Sequence, residues 1–201
     1  TFIEPVACVL RGLRKANLRA GDTVLVIGSG IAGLLFVQLA KALGAGRIIA
    51  TDISDFRLEK AKGFGAETTL RAEEDIPTRL RQVNQGRLAD LVVVSTGAAS
   101  AQLQAMRSVE RSGTILFFAP TAPGVTIPVS INESFFRNDI TLTTSYAGSP
   151  ADYQTALELI RAGLPVREMI THILPLADVG KGFQLVAEAR DSIKVIIEPQ
   201  K

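Results

Sequence analysis

A chain of 201 residues with a formal net charge of +2 is long enough to bury a full core, in one domain or one with appendages. No basic cluster interleaved with aromatics occurs, so nothing points to nucleic acid. No apolar run reaches the roughly 18 residues of a membrane span; the longest breaks at Gln38 and Lys41. A single cysteine excludes an internal disulfide and fits a reducing, cytoplasmic compartment.

Thr1-Phe2-Ile3-Glu4-Pro5 has neither an initiator methionine nor a signal-peptide layout, and a helix follows with no strand ahead of it. The chain is therefore expected to be a piece of a longer protein whose amino-terminal part precedes it. Pro5 suits a first helical turn, and Val6, Leu10, Leu13 and Leu18 give an apolar stripe to about residue 18. Gly21-Asp22 then turns into an apolar, β-branched strand at 24–27.

That strand runs into Gly28-Ser29-Gly30-Ile31-Ala32-Gly33, a Gly-x-Gly-x-x-Gly sequence, and on into a helical pattern at 34–43. In such a turn the first glycine bends the chain off the strand and the second lets backbone approach a pyrophosphate. The third lets the helix lie against the strand. The amides of Ile31 and Ala32, free at the helix start, are the expected pyrophosphate donors. Alone the glycine pattern is weak, so its context decides. A second strand, 47–51, ends in Asp52, 19 residues past Gly33. A carboxylate there accepts hydrogen bonds from an adenosine ribose and repels the 2′-phosphate of NADP. Motif, strand, helix and acid together read as a site for NAD.

Asp55 can cap a helix running to about residue 64, and 65–70 reads as the third strand. Glu73, Glu74 and Asp75 precede a short helix at 76–83, a solvated start favoured by the macrodipole. The fourth strand, 89–94, leads into Ser95-Thr96-Gly97; a helix at 99–109 and a fifth strand at 114–118 follow. Residues 125–129 read as an edge segment, because Pro128 cannot donate to a ladder. A sixth strand, 140–144, and a helix at 151–161 complete the alternation. Near-continuous apolar strands alternating with helices define the class: α/β, a Rossmann-type doubly wound parallel sheet of six strands. From Pro165 the pattern changes. Two strand-like runs, 169–174 and 192–197, flank a helix at 179–189 and are expected to belong with the preceding lobe.

In this order the chain resembles the zinc-dependent medium-chain alcohol and polyol dehydrogenases, from mid-sequence to the carboxyl end. The resemblance is carried by Glu4-Pro5-Val6-Ala7, by 20–26, by the glycine motif with Asp52, and by Ser95-Thr96-Gly97-Ala98. Thr171-His172-Ile173-Leu174-Pro175-Leu176 and Ile193-Lys194-Val195 add to it. It implies a division into a linking helix (1–20), an NAD-binding Rossmann domain (21–164) and a segment returning to a catalytic domain (165–201). It further implies zinc in the full-length parent, acting as a Lewis acid on a small alcohol or ketone while hydride passes to the nicotinamide. The fragment alone would not turn over substrate, and an oligomer through 125–129 is expected.

By the same resemblance, Asp52 would bind the ribose, Ile53 would line the adenine pocket, and Arg57 would stand near the ribose. Ser95 and Thr96 would border the cofactor, and backbone near Phe118-Ala119 and Thr144-Ser145 would hold the carboxamide. Lys194 would reach the pyrophosphate, and Glu4 would belong to the zinc environment. Polyol-type members often carry Arg where this chain has Ser145, a departure that bears on a sugar-alcohol substrate.

Plainer readings stand beside these. Glu4 reads as a capping carboxylate beside Pro5, favoured by the helix dipole, and Cys8, one turn on, as a small buried hydrophobe rather than a ligand. His172, the single histidine, reads as structural. Arg57 could pair with Asp55 or Glu59, and Lys194 could snorkel to water. The fold hosts many functions; an NAD(H)-sensing module without chemistry and an S-adenosylmethionine-dependent methyltransferase are the alternatives. The latter class usually places an acid where this chain has Ile27-Gly28.

Overall fold

Thr23–Ile27 forms a strand, β1, in which every residue is buried. Its neighbours follow in a computed structural model that describes residues 1–200. They are β2 (Arg47–Asp52), β3 (Thr68–Arg71), β4 (Ala89–Val94), β5 (Val109–Phe117) and β6 (Thr141–Thr144), and all six strands pair in parallel in the order β3-β2-β1-β4-β5-β6. The order reverses between β1 and β4. At such a reversal the connections leave to opposite sides and open a crevice beyond the strands' carboxyl ends.

Side-chain alternation divides the core into two layers. Val24, Val26, Leu91 and Val93 point to one face, where helices α1 (Ile3–Lys15), α2 (Ile31–Ala42) and α3 (Asp55–Phe64) contribute to one apolar cluster. Leu25, Ile27, Val92 and Val94 point to the other, covered by α4 (Ile76–Val83) and α5 (Ala99–Ser108). A strand buried on both faces has no polar side to show, which is why β1 and β4 read as continuous apolar runs.

Helix α1 stops at Lys15 rather than near 18, and Leu18 follows as a partly buried loop residue whose amide returns to the Leu13 carbonyl. Its apolar face is buried in the first layer, where Phe36 and Phe118 also meet edge-on at 4.8 Å. Helix α6 (Pro150–Arg161) starts with a reciprocal cap between Ser149 and Asp152. Asp152 is buried, and its carboxylate accepts from the Ser149 hydroxyl at 2.6 Å and from Arg14 at 2.7 Å, with Arg11 at 3.6 Å. One acid thus both starts α6 and ties it to α1.

Four expectations are corrected. The third strand begins at Thr68, because Gly65 (φ +118°) is the left-handed residue that closes α3. The fifth begins at Val109, five residues early, through a register shift against β4 that places Ser112 at φ +59°. Residues 125–129 form no strand; they follow an exposed turn, and the sheet edge on that side is β6. One π-helical turn, Ile131–Phe136, intervenes where no element was expected.

The tail runs pair with each other. β7 (Ile170–Pro175) and β8 (Lys194–Glu198) make a second, two-stranded parallel sheet, with α7 (Val179–Glu188) between them in sequence. Gly182 of α7 faces Val195 and Ile197 so closely that an added Cβ would stand 3.1 Å from Ile197. The other side leaves Ile173 55% exposed. Two strands alone are marginally stable in water.

Replacing Asp152 with Ala removes the cap and the tie together and is expected to cost about 2–3 kcal/mol. The Ser149 hydroxyl, then its amide and Arg14, hold the Asp152 carboxyl below the usual carboxylate range. Its contribution is therefore complete above the unfolded-state value of about 3.9 and is lost as pH falls through the lower folded value. Denaturant titrations of both proteins from pH 7 to 2.5 check this: the difference between them should shrink at the acid end.

Candidate functional site

The crevice at the sheet's reversal is built from the turn between β1 and α2. Gly28 stands at φ +93°, a conformation that favours glycine, and its amide donates to the Thr51 carbonyl at 2.9 Å. A Cβ on Gly33 would overlap the Gly28 carbonyl oxygen, so helix and turn touch backbone to backbone. Ser95, at the end of β4, fastens the turn from the other strand. Its hydroxyl lies 3.0 Å from the Ile27 carbonyl and 2.6 Å from that of Gly28. Helix α2 opens at Gly30 with no side-chain cap. Its first-turn amides, those of Ile31 and Ala32 included, have no acceptor within the helix and carry its positive end.

Asp52 closes the arrangement from β2. Asp52 is 6% exposed; one carboxylate oxygen accepts the Ser29 amide at 2.7 Å and the other the Ser54 amide at 2.9 Å. The middle residue of the first Gly-x-Gly therefore orients the acid through its backbone, a role its side-chain identity does not advertise. Asp52 and the glycine turn share a cavity of about 260 Å³ with Ile53, Arg57, Ser95 and Thr96. Ile53 is 68% exposed at its rim. Arg57 does not pair with Asp55 or Glu59. Asp55 is taken by Arg71 at 2.8 Å, Lys62 is the cation nearest Glu59, and the buried Nε of Arg57 has no partner. Its guanidinium instead lies over Gly30.

A second, wider cavity of about 430 Å³ lies at the ends of β5 and β6 and is lined by Phe118, Ala119, Thr144 and Ser145. The amides of Phe118 and Ala119 both donate to the Val94 carbonyl, at 3.0 and 3.1 Å, so neither amide is free for a ligand. The Thr144 hydroxyl is spent on the Phe117 carbonyl, whereas the buried Ser145 Oγ has no partner.

Five of the expected residues line neither cavity: Ile31, Ala32 and Gly33, at the start of α2 behind Gly30, and Lys194 and Glu4, which lie elsewhere. Lys194 stands on β8 of the second sheet and lines neither. Glu4, exposed in the first turn of α1, does not cap the helix; its Oε1 accepts from the buried Cys8 thiol at 3.0 Å. Burial, then the Glu4 hydrogen bond, push that thiol up to about 12. Cys8 is buried as expected, but it is a hydrogen-bond donor rather than a bare hydrophobe. His172, half-buried on β7, lies 3.0 Å from the Thr171 hydroxyl, a structural contact.

No group of three or more potential metal ligands occurs among the described residues. Catalytic zinc takes three protein ligands, so Glu4 and Cys8 alone do not complete a zinc site. The crevice does fit a dinucleotide: Gly30 leaves open space where a side chain would stand, and first-turn amides and an acid flank it.

The residues not foreseen from sequence are those of the cavity's far wall, among them Thr51, Ala72, Ala101 and Gln104. Ala98, Ala101 and Gln104 recur at intervals of three, one face of a helix, and that spacing after Ser95-Thr96-Gly97 is the signal that was available.

Residues 32–162 match the family model described as zinc-binding dehydrogenase. Among curated relatives, the erythritol/L-threitol dehydrogenase of Mycolicibacterium smegmatis is 32% identical over 98% of this chain and 54% of its own length. The sorbitol dehydrogenase of Halalkalibacterium halodurans is 29% identical over 98% and 57%. Among solved structures, the alcohol dehydrogenase TADH of Thermus sp. ATN1 superposes with a TM-score of 0.86 at 28% identity, over 98% of this chain and 57% of that one. The chain spans about half the length of the curated relatives it matches.

The backbone contact at Gly33 gives a paired test. Gly33→Ala forces the turn apart and is expected to cost about 3 kcal/mol or more. Gly63→Ala, in open space near the end of α3, should change stability by no more than about 1 kcal/mol, toward a higher melting temperature. Thermal melts of the two variants decide it.

Proposed function

The chain belongs to the zinc-binding dehydrogenase family, and from that premise we propose that it is the NAD(H)-binding half of an enzyme interconverting a small alcohol and its ketone. One observation carries the reading: the glycine turn and Asp52 line a single cavity at the sheet's reversal, where the amide-bearing start of α2 lies. In this reading the amides of Ile31 and Ala32 hold the pyrophosphate, Asp52 holds the ribose hydroxyls, and Arg57 stands over the phosphate side. The carbonyls of Phe118 and Ala119, with Thr144 and Ser145, position the carboxamide. Bound there, the nicotinamide supplies hydride transfer. The chain's own residues bind, orient and exclude water.

The substrate proposed is a small secondary alcohol or polyol. The relatives named for erythritol, L-threitol and sorbitol weigh toward a polyol, and Ser145 in place of an arginine weighs against it. Zinc would take further donors from outside these residues, with Glu4 as a neighbour of the metal. Lys194 would reach the pyrophosphate only with the tail settled against a preceding lobe. We assign 1–20 to the linking helix, 21–164 to the cofactor domain and 165–201 to the segment returning to that lobe. The family match disfavours both the sensing module and the methyltransferase.

Among the described residues no helix is long and apolar enough to cross a membrane; a cytoplasmic setting remains part of the proposal. So does a homo-oligomer, in which the unpaired segment 125–129 meets a second copy. Light scattering with Thr126→Lys tests that contact: the particle mass should fall to that of one chain.

For the cofactor, nicotinamide fluorescence should show NADH binding at least about tenfold more tightly than NADPH, a difference of about 1.4 kcal/mol. Asp52→Ala should narrow the ratio toward one. Equal affinities in the wild-type chain, or an unchanged ratio in the variant, would overturn the role given to Asp52.

A further inference from the structure

The far end of the smaller cavity holds polar groups that neither the pyrophosphate nor the ribose uses. Gln104, 9% exposed on α5, sits on a face that otherwise buries Ala101 and Ala105. Its Nε2 donates to the Ala72 carbonyl at 3.1 Å. A carbonyl accepts only, so Ala72 fixes which way the amide points. The Gln104 Oε1 receives no hydrogen bond from the described residues. Thr51, fully buried on β2, lines the same cavity, and its Oγ1 also has no partner. Ile27, Ala72 and Ala101 surround them with apolar surface. A buried polar atom without a partner, as Thr51 Oγ1 is, is uncommon and costly; Gln104 Oε1 opens on the same cavity with no donor of its own.

We propose that Gln104 reads the nucleobase of the bound dinucleotide, selecting a 6-amino purine over its 6-oxo counterpart. This rests on the dinucleotide reading above. The sugar end is set by Asp52. Arg71 on β3 is the register partner of Asp52, and Ala72 follows it, its amide donating to the Asp52 carbonyl at 3.0 Å. Gln104 is therefore anchored one strand beyond the acid, on the side away from the glycine turn. A purine whose ribose lies at Asp52 presents its far edge, the one bearing the 6-substituent, to that wall. An exocyclic amine donates to Oε1. A 6-oxo group would set lone pair against lone pair and leave Oε1 desolvated and unpaired. Thr51 Oγ1, able to donate or accept, lines the same cavity.

The test compares NADH with its hypoxanthine analogue, which has the same nicotinamide reporter and differs only in the purine. Nicotinamide fluorescence and calorimetry on the 201-residue chain should give about tenfold tighter binding of NADH. Gln104→Met, close in length but without the amide, should bring the ratio to about one by weakening NADH alone, with far-UV circular dichroism and a thermal melt confirming the fold. Equal binding of the two ligands by the wild-type chain overturns the proposal and leaves the dinucleotide reading standing. A preference that survives in a folded Gln104→Met overturns it as well. If neither ligand binds, the dinucleotide reading itself fails. Should Gln104→Met not fold, the wild-type ratio still decides.

Discussion

Everything at the crevice depends on how closely α2 approaches the turn that feeds it. Gly33 lies against the Gly28 carbonyl without room for a single carbon between them. The Ser95 hydroxyl grips that carbonyl and its neighbour from β4. Three elements are thus drawn together through backbone rather than through side chains. The consequence is electrostatic: the positive end of α2 is brought to the mouth of the crevice, with nothing but hydrogen atoms on the glycines in the way. A larger residue at Gly33 would widen the gap and weaken the field where an anion would rest.

The large pattern was legible because it follows from elementary constraints. A strand covered on both faces must be apolar throughout, and β1 and β4 are. The glycine spacing and Asp52 could be read because each position answers to a steric or charge requirement of the turn. The misreadings have equally physical causes. Arg111-Ser112-Gly113 looks like a loop, yet Ser112 takes a left-handed conformation, its amide held by the Asn138 carbonyl at 2.8 Å, and β5 runs through it. Val125 to Val129 alternates like a strand, but β6 already occupies the neighbouring position in the sheet. The hold of Ser29 on Asp52 runs through an amide that every residue but proline possesses, so composition could not reveal it.

The amino-terminal helix and the tail show different kinds of attachment. Helix α1 is part of the core, fastened by Asp152 and by a buried apolar face. The β7–β8 pair, half-buried and carrying Ile173 at 55% exposure, has one face packed by α7 and the other only partly covered. Hydrophobic burial rewards covering such a face, which fits the assignment of the tail to a further lobe.

Asp52 gives a last lesson about timing. Its two oxygens are gripped by amides of Ser29 and Ser54 within the folded chain itself. The acid is therefore preorganised: a dinucleotide arriving in the proposed manner would find the spare lone pairs already aimed, with no rotamer search to complete. The entropy of fixing that side chain is spent once, during folding, and not again in each cycle of association and release.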